Sequence, residues 1–308
     1  MNSSSVIETS GLRKTFGGKV AVADLTLRVE RGEVFGFLGP NGAGKTTSIK
    51  MLLGLTRPTG GAGRLLGAPI GDHAVRSRVG FLPENFRFHD WLTAEEFLRV
   101  HGRLYGMHPA ERERRIPALL ERVGLAEHAA KPLRAFSKGM KQRVGLAMAM
   151  LNQPEVIFLD EPTSGLDPVG RRMVRDVIHE LREHSTAVFL NSHLLSEVEI
   201  TCDRVAFVKN GVVVRQASLQ SLVAGSTTVE LRVDRATPEL TGALARLGRE
   251  VQAEPGGERI SLSVDGDDAL PAIARLIVEQ DRALYAMTPQ HISLEDLFLQ
   301  IVGAEGSL

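Results

Sequence analysis

The chain has 308 residues and a formal net charge of zero, because 37 lysines and arginines balance 37 aspartates and glutamates. This balance argues against a protein whose main partner is a nucleic acid. The composition, 43% hydrophobic and 24% charged, excludes a disordered chain, a collagen and a coiled coil. The one cysteine, Cys202, excludes an intramolecular disulfide, and the length predicts about two domains.

Membrane and targeting signals are absent from the sequence pattern. The longest apolar runs, residues 144–151 and 156–159, are far shorter than the roughly 20 residues that cross a bilayer. Residues 1–5 have no basic region followed by an apolar region, so we expect no secretory signal. The chain is expected not to span a membrane by itself and to stay where it is made.

Short β-rich runs alternate with longer helical patterns over the first 225 residues, which is typical of a sheet covered by helices. We therefore predict an α/β domain over residues 1–225. The predicted strands lie at residues 5–10, 25–30, 34–38, 79–82, 156–160, 187–192, 205–209 and 212–215. Asn210-Gly211 joins the last two strands, and its tolerance of positive φ predicts a tight hairpin turn.

Strand patterns disappear between residues 86 and 153, where helical patterns take over. Thr93-x-x-Glu96 has the spacing of a helix capping box, and Pro109 and Gly124 interrupt the helical pattern. We predict a helical subdomain at about residues 86–153.

A second series of strands and helices begins near residue 227. It predicts a separate, small α+β domain over residues 226–308, compatible with a ferredoxin-like arrangement. The predicted strands lie at residues 228–233, 251–253, 259–264 and 283–287, and the predicted helices at 238–247, 267–280 and from 293.

The segment between the strand at 34–38 and the helical stretch at 47–55 matches the phosphate-binding pattern G-x-x-x-x-G-K-[ST]. Its residues are Gly39, Pro40, Asn41, Gly42, Ala43, Gly44, Lys45 and Thr46, followed by Thr47. The glycines let backbone N–H groups turn towards phosphates at a helix N-terminus, Lys45 neutralises phosphate oxygens, and the Thr46 hydroxyl reaches Mg²⁺. We predict that residues 39–47 bind ATP with Mg²⁺; the alternative is a glycine-rich turn that binds nothing.

Two carboxylates close the predicted strand at 156–160. Asp160 and Glu161 lie at the carboxyl edge of the sheet, where α/β proteins bind ligands. We predict that Asp160 holds Mg²⁺ through water and that Glu161 orients the water that attacks the γ-phosphate. An acidic pair after a strand is by itself more often a solvated strand end. The phosphate loop in the same chain favours the catalytic interpretation.

A further segment, Phe136-Ser137-Lys138-Gly139-Met140-Lys141-Gln142-Arg143, resembles the signature of ATP-binding-cassette (ABC) proteins. With the other motifs, it makes nearly the whole chain resemble the nucleotide-binding subunit of an ABC transporter, in the group that energises drug, lipid or polysaccharide exporters. The resemblance implies a P-loop NTPase cassette. Lys138 and Met140 depart from the family's Gly and Gln, whereas Ser137 and Gly139 keep the hydroxyl and the close backbone approach. The plainer interpretation of Ser137 is a helix N-cap.

The resemblance assigns roles to four further positions. Asp167, in Ser164-Gly165-Leu166-Asp167, matches the loop that shapes the contact between two cassettes, and His193 matches the histidine that reaches the γ-phosphate. Phe16 stands where an aromatic ring stacks on adenine. Glu84 stands where the family generally has a glutamine that senses Mg²⁺ and the membrane partner, and it can also bind metal or its water. The alternatives are a plain turn at Asp167, a structural His193 and a core Phe16.

The resemblance also implies partners. Two copies are expected to hold Mg-ATP between them, with the signature of one copy facing the phosphate loop of the other. Separately encoded membrane subunits are expected to dock around Glu84 and residues 86–103, with Trp91 and Phe97 as apolar anchors. The chain is then expected at the cytoplasmic face of the plasma membrane. Residues 292–299 resemble the closing segment of exporter-type subunits.

Two other functions stay open at this point. An importer ATPase can carry a C-terminal domain that senses a small molecule, and a ferredoxin-like domain suits that role. A soluble cassette protein that acts on ribosomes or DNA belongs to another class. Such proteins generally join two cassettes or insert long coiled coils, whereas this chain has one cassette and no net charge.

Overall fold

The computed structural model describes residues 5–86, 89–223, 227–254, 257–290 and 293–303. Within this part, the chain divides into two compact units, one reaching Ala217 and the other beginning at Ser218. This division lies eight residues before the boundary predicted at residue 225. Ile292, in the segment that resembles the exporter-type closing sequence, lies outside the described residues.

The first unit is built on a mixed sheet, which has ten strands in the described residues. Their order across the sheet is β5-β4-β1-β2-β10-β9-β3-β8-β7-β6. The strands are β1 (Ser5–Phe16), β2 (Lys19–Glu30), β3 (Val34–Leu38), β4 (Gly60–Leu65), β5 (Ala68–Pro69), β6 (Val79–Leu82), β7 (Val156–Asp160), β8 (Ala187–Asn191), β9 (Arg204–Lys209) and β10 (Val212–Ser218). Strands β9, β3, β8, β7 and β6 run parallel, whereas β1 pairs antiparallel with β2 and β4.

The central strands β3, β7 and β8 are buried along their whole length. Such strands contact apolar groups on both faces, which explains why their sequences are continuous apolar runs. Phe189 lies at the middle of this core, with its ring 5.1 Å from that of Phe37 and 5.3 Å from that of Phe158. The core therefore fixes the three strands that precede the predicted phosphate loop, the acidic pair and His193.

Helices cover this sheet and also form the predicted helical segment. The α-helices of the first unit are α1 (Lys45–Leu52), α2 (Ala94–Leu104), α3 (Pro109–Arg122), α4 (Lys138–Met150), α5 (Pro168–Glu183) and α6 (Leu195–Thr201). The capping box at the start of α2 is present: Thr93 Oγ1 accepts from the Glu96 N–H at 3.2 Å, and Glu96 Oε2 accepts from the Thr93 N–H at 2.9 Å. Helices α2, α3 and α4 all lie within residues 86–153.

The edge of the sheet differs from the sequence prediction. Strands β4 and β5 were not predicted, because Gly-Gly-Ala-Gly in β4 has little intrinsic preference for a strand. The partner β1 supplies the pairing, from Ile7 with Leu65 to Arg13 with Gly60. The hairpin turn between β9 and β10 has the predicted positive φ values, 51° at Asn210 and 76° at Gly211.

The second unit is a small α+β domain. It begins with α7 (Leu219–Val223) and continues with β11 (Thr227–Val233), α8 (Pro238–Leu244), β12 (Arg249–Ala253), β13 (Arg259–Val264), α9 (Leu270–Glu279), β14 (Leu284–Gln290) and α10 (Leu294–Gly303). From β11 the order is βαββαβ, and the strands lie in the order β12-β13-β11-β14, which is the split βαβ arrangement of ferredoxin-like domains. Helices α8 and α9 pack on one face of this sheet, for example through Leu240 and Ile273.

None of the helices within the described residues has both the length and the apolar composition that a bilayer crossing requires.

Glu155 bridges two arginines at the amino end of β7. Its Oε2 accepts from Arg31 Nη2 at 2.6 Å, and Oε1 pairs with Arg78. Hydrogen bonds from Arg78 and Arg31 lower the pKa of Glu155 to about 2, from 4.5, against the opposing effect of burial. The ionised form is thus favoured by folding, so this carboxylate stabilises the fold above pH 4.5 and loses its contribution as the pH falls towards about 2.

We expect Glu155→Gln to lower the free energy of unfolding at pH 7 by about 1 kcal/mol, since the ion pairs are largely solvated. The difference from the wild type should shrink as the pH falls from 4.5 to about 2. Urea unfolding across this range measures the effect, with Glu183→Gln at an exposed position of α5 as the control. A difference that is constant with pH would contradict this account.

Candidate functional site

The loop between β3 and α1 lies very close to neighbouring backbone at two glycines. A Cβ on Gly39 would lie 2.4 Å from the Val208 carbonyl oxygen, and one on Gly44 would lie 2.5 Å from the Ala21 carbonyl oxygen. Gly44 also has a φ of 96°, which other residues rarely adopt. The loop therefore turns tightly onto the N-terminus of α1, where backbone N–H groups favour an anion.

Lys45 lies across the inside of this loop. Its Nζ donates to the carbonyl oxygen of Gly39 at 2.7 Å and to that of Pro40 at 3.1 Å. Partial burial lowers the pKa of Lys45, while the nearby carboxylates of Glu161, Asp160 and Glu84 oppose this shift. The ammonium group is thus already placed beside the loop amides, among acids that face it.

A carboxylate and an amide lie at the ends of two neighbouring strands. Asp160 ends β7 and pairs in register with Asn191, which ends β8. Asn191 Nδ2 donates to Asp160 Oδ1 at 2.5 Å. Asp160 is 2% exposed, and burial raises its pKa, while the hydrogen bond from Asn191 opposes the rise. The carboxylate is therefore costly to hold ionised without a cation.

Glu161 follows Asp160 with a left-handed backbone, at a φ of 55°. Its Oε2 is 2.6 Å from His193 Nδ1, and its own carbonyl oxygen accepts from Gln142 Nε2 at 3.0 Å. Burial raises the pKa of Glu161, and the nearby His193 opposes this rise. Glu161 thus has the raised basicity of a group that orients and polarises water, with a histidine as its partner.

A cavity of about 610 Å³ brings most of these groups together. Its volume lies within the usual range of small-molecule sites. Of the predicted site residues, its lining includes Asn41, Gly42, Gly44, Lys45, Thr46, Thr47, Glu84, Glu161 and His193. The lining also includes Ser164, which belongs to the predicted loop segment 164–167, and four residues that sequence reasoning missed, Lys19, Val20, Ala21 and Asn191.

The donor set fits Mg²⁺ bound together with phosphates. Thr46 supplies a hydroxyl and Glu84 a carboxylate to the cavity lining. Asp160 does not line the cavity, but its buried carboxylate interacts electrostatically with Glu84 and Lys45. The described residues contain no cluster of three or more His, Cys, Asp or Glu that could hold a metal ion alone. Mg²⁺ is commonly held by one or two carboxylates and the substrate phosphates, so this incomplete set suits it.

The signature residues line a different cavity of about 530 Å³. Ser137, Gly139 and Asp167 all belong to it, and none of them lines the first cavity. Ser137 Oγ also accepts from the Met140 N–H at 3.2 Å as the N-cap of α4, and Asp167 Oδ1 accepts from the Gly170 N–H at 2.7 Å as the N-cap of α5. One copy of the chain therefore carries two separate concave sites.

Phe16 ends β1 and is 51% exposed, so the alternative of a core phenylalanine is wrong. Lys14 Nζ lies 4.7 Å from its ring centroid. Phe16 does not line the first cavity, but its strand partner Lys19 does. Adenine stacking on Phe16 stays a prediction.

The chain matches known proteins over most of its length. Residues 22–164 match the family model described as ABC transporter. An ABC transporter ATP-binding protein of Synechocystis sp. is 45% identical over 291 residues, which are 92% of this chain and 78% of that protein. The chain belongs to the ABC transporter ATP-binding proteins. The predicted family and ATPase class are thereby confirmed.

Another relative and two solved structures are also similar to this chain. The Nod factor export ATP-binding protein I of Ralstonia nicotianae is 36% identical, and the alignment covers 99% of this chain and 96% of that protein. A solved ATP-binding subunit of an ABC transporter superposes with a TM-score of 0.66 at 33% identity, over 70% of this chain and 91% of that one. A dimeric cassette in a post-hydrolysis state, bound to ADP and Pi, gives a TM-score of 0.64 at 25% identity, over 69% and 98%. The predicted P-loop NTPase fold is confirmed.

Asn191 is the missed residue that a sequence signal could have revealed. It is a polar residue at the carboxyl end of the apolar run Ala-Val-Phe-Leu, where α/β sheets place ligand-binding groups. Lys19, Val20 and Ala21 carry no such signal, because they reach the cavity only through the path of β2 in the folded sheet.

We expect Lys45→Ala to weaken nucleotide binding about 10- to 100-fold, because a charged hydrogen-bond donor to phosphate is lost. Titration with a fluorescent ATP analogue in the presence of Mg²⁺ measures the dissociation constant. Lys50→Ala removes an exposed ammonium from the last turn of the same helix and serves as the control. Equal affinity in the Lys45 variant and the wild type would rule out the predicted role of Lys45.

The pH dependence of ATP hydrolysis tests the contact between Glu161 and His193. The carboxylate must be ionised to orient water, so the rate should fall as the pH drops through a pKa above the ordinary 4.5. Because His193 lowers the pKa of Glu161, His193→Ala should shift this acidic limb to higher pH and reduce the maximal rate. Steady-state rates from pH 4.5 upwards at saturating ATP measure the shift. An acidic limb at unchanged pH would show that the contact does not tune Glu161.

Proposed function

We propose that this chain is the ATP-hydrolysing subunit of an ABC exporter. Two copies close head to tail around two Mg-ATP molecules, and separate membrane subunits carry the drug, lipid or polysaccharide that is exported. The observation that carries this proposal is the presence of two distinct concave sites on one chain, one lined by Lys45 and Glu161 and the other by Ser137 and Gly139.

A head-to-tail pair explains why the two sites are separate. Each of the two nucleotides then lies between the phosphate loop of one copy and the signature helix of the other, and twofold symmetry makes two equal sites. Ser137 adds a hydroxyl and the N-terminus of α4, which begins at Lys138. The solved dimeric cassette bound to ADP and Pi supports this arrangement.

The residues in and beside the first cavity have different proposed roles in ATP hydrolysis. The loop amides and Lys45 bind the phosphates, while Thr46, Asp160 and Glu84 are the groups that would hold Mg²⁺. When bound, Mg²⁺ neutralises charge on the phosphate oxygens. Glu161 orients the attacking water, and His193 holds Glu161 and reaches towards the γ-phosphate. Phosphoryl transfer demands mainly such positioning and charge stabilisation.

ATP does work in this arrangement because it is part of the interface. It stabilises the closed pair, and its hydrolysis removes contacts between the two copies. The equilibrium between closed and open pairs then shifts with the state of the nucleotide. The membrane subunits convert this change into movement of their substrate.

The relatives support export over import. The Nod factor export proteins of Ralstonia nicotianae and Cupriavidus pinatubonensis align along 99% and 98% of this chain, so their similarity includes the second unit. An importer with a ligand-sensing domain is therefore the less supported alternative.

The membrane subunits are proposed to dock around Glu84 and residues 86–103, of which residues 87 and 88 lie outside the described part of the chain. Trp91 is 72% exposed and can anchor a partner. The prediction of a second anchor at Phe97 is wrong: its ring is 1% exposed and packs 4.5 Å from that of His101. Docking would hold the chain at the cytoplasmic face of the plasma membrane.

Glu161→Gln tests the proposal as a whole. The variant keeps the shape of the side chain but loses its negative charge, so ATP should still bind while hydrolysis falls about 100- to 10,000-fold. Because ATP then persists at the interface, the variant should elute as a dimer in size-exclusion chromatography with Mg-ATP and as a monomer without it.

Glu183→Gln, at the exposed end of α5, is the control and should hydrolyse ATP at the wild-type rate. Adding Ser137→Ala to Glu161→Gln should weaken the trapped dimer, because the hydroxyl from the second copy is lost. The proposal fails if Glu161→Gln hydrolyses ATP at the wild-type rate, or if ATP binds without any dimer.

A further inference from the structure

Asn191 holds both acidic residues that follow β7. Its side-chain Nδ2 donates to Asp160 Oδ1 at 2.5 Å, and its backbone oxygen accepts from the Glu161 N–H at 2.8 Å. The residue is 3% exposed and pairs in register with Asp160, so neither contact depends on a mobile side chain. One residue therefore sets the side chain of one acid and the backbone of the next.

The other end of the same amide is unsatisfied. Rotating the amide by half a turn would place Asn191 Oδ1 against an Asp160 carboxylate oxygen, so the donor contact fixes which atom faces the acid. In the part of the chain that the structure describes, Asn191 Oδ1 is buried and meets no hydrogen-bond donor. Asn191 lines the cavity of the phosphate loop. A buried acceptor without a donor costs free energy, so the fold retains this amide at a cost for the contact that its other end makes with Asp160.

We propose that Asn191 is a positioning residue of the ATP site, which fixes the Asp160 carboxylate for Mg²⁺. The inference rests on the proposed function and deepens it. It concerns the metal rather than the phosphates, because the proposed function assigns the phosphates to a different element, α1 with Lys45 and the loop before it. Groups that hold a metal-binding carboxylate affect metal affinity without touching the metal.

Asn152 offers a matched comparison. Its Nδ2 donates to the carbonyl oxygens of Ser77 at 2.7 Å and Val79 at 3.2 Å, and its Oδ1 is also buried without a donor among the described residues. Asn152 does not line the cavity of the phosphate loop. The same substitution at the two positions therefore separates an effect on the site from the effect of losing a buried amide.

The test compares Asn191→Leu, Asn191→Ala and Asn152→Leu in the full chain. Electron paramagnetic resonance titration with Mn²⁺, in the presence of a nonhydrolysable ATP analogue, gives the metal affinity. A fluorescent ATP analogue in EDTA gives the nucleotide affinity without metal. Circular dichroism checks the fold of each variant. If Asn191→Leu does not fold, Asn191→Ala tests the inference instead, because it introduces no bulk into the buried strand.

We expect both Asn191 variants to bind Mn²⁺ about 10- to 100-fold more weakly, with metal-free nucleotide affinity within about twofold of the wild type. Asn152→Leu should leave both affinities unchanged. The inference is overturned if Asn191→Ala binds Mn²⁺ like the wild type, if both affinities fall together, or if Asn152→Leu loses as much metal affinity. A wild-type protein that binds no nucleotide would instead overturn the proposed function itself.

Discussion

The parallel register of β3, β8 and β7 is the constraint on which the site depends. Phe37 and Asp160 both pair with Asn191, so the three strands end at one edge of the sheet. Parallel strands place everything that follows them on the same side, which brings the glycine loop, the acidic pair and His193 together without long connections. Burial of the strands on both faces fixes this register, because displacing a strand would break the packing around Phe189.

Burial at this edge disfavours the charged forms of both the acids and the lysine, so it shifts their pKa values in opposite directions. It raises the pKa of Asp160 and Glu161 and lowers that of Lys45, so each ion is less stable than in water. The groups compensate by facing one another, and Asn191 and His193 add hydrogen bonds to the acids. A ligand that carries both a cation and negative phosphates satisfies both sets, which is why the arrangement suits a metal nucleotide.

Sequence reasoning worked where one local segment contains the whole signal. The bounds of β3, β6, β7 and β13 agree with the predicted strands, because buried strands are continuous apolar runs and β13 alternates cleanly. The phosphate loop was predicted from its residue types and spacing, together with the strand before it and the helix after it. The position of Asn191 at a strand end was visible in the sequence, but its contact with Asp160 was not, because that contact depends on lateral pairing with a residue 31 positions away. Phe97 was wrongly predicted as an exposed anchor, because a helical pattern does not reveal which apolar side chain stays exposed to solvent.

The segment after the acidic pair borders both concave sites. Ser164 lines the cavity of the phosphate loop, while Gly165 and Asp167 line that of the signature. Lys138 Nζ donates to Ser164 Oγ at 3.3 Å and ties the first turn of α4 to this segment. In the proposed pair, each such segment would therefore touch its own nucleotide and the one opposite. Release of one nucleotide from the proposed pair would then change the contacts of the other, so the two sites would be coupled through this segment.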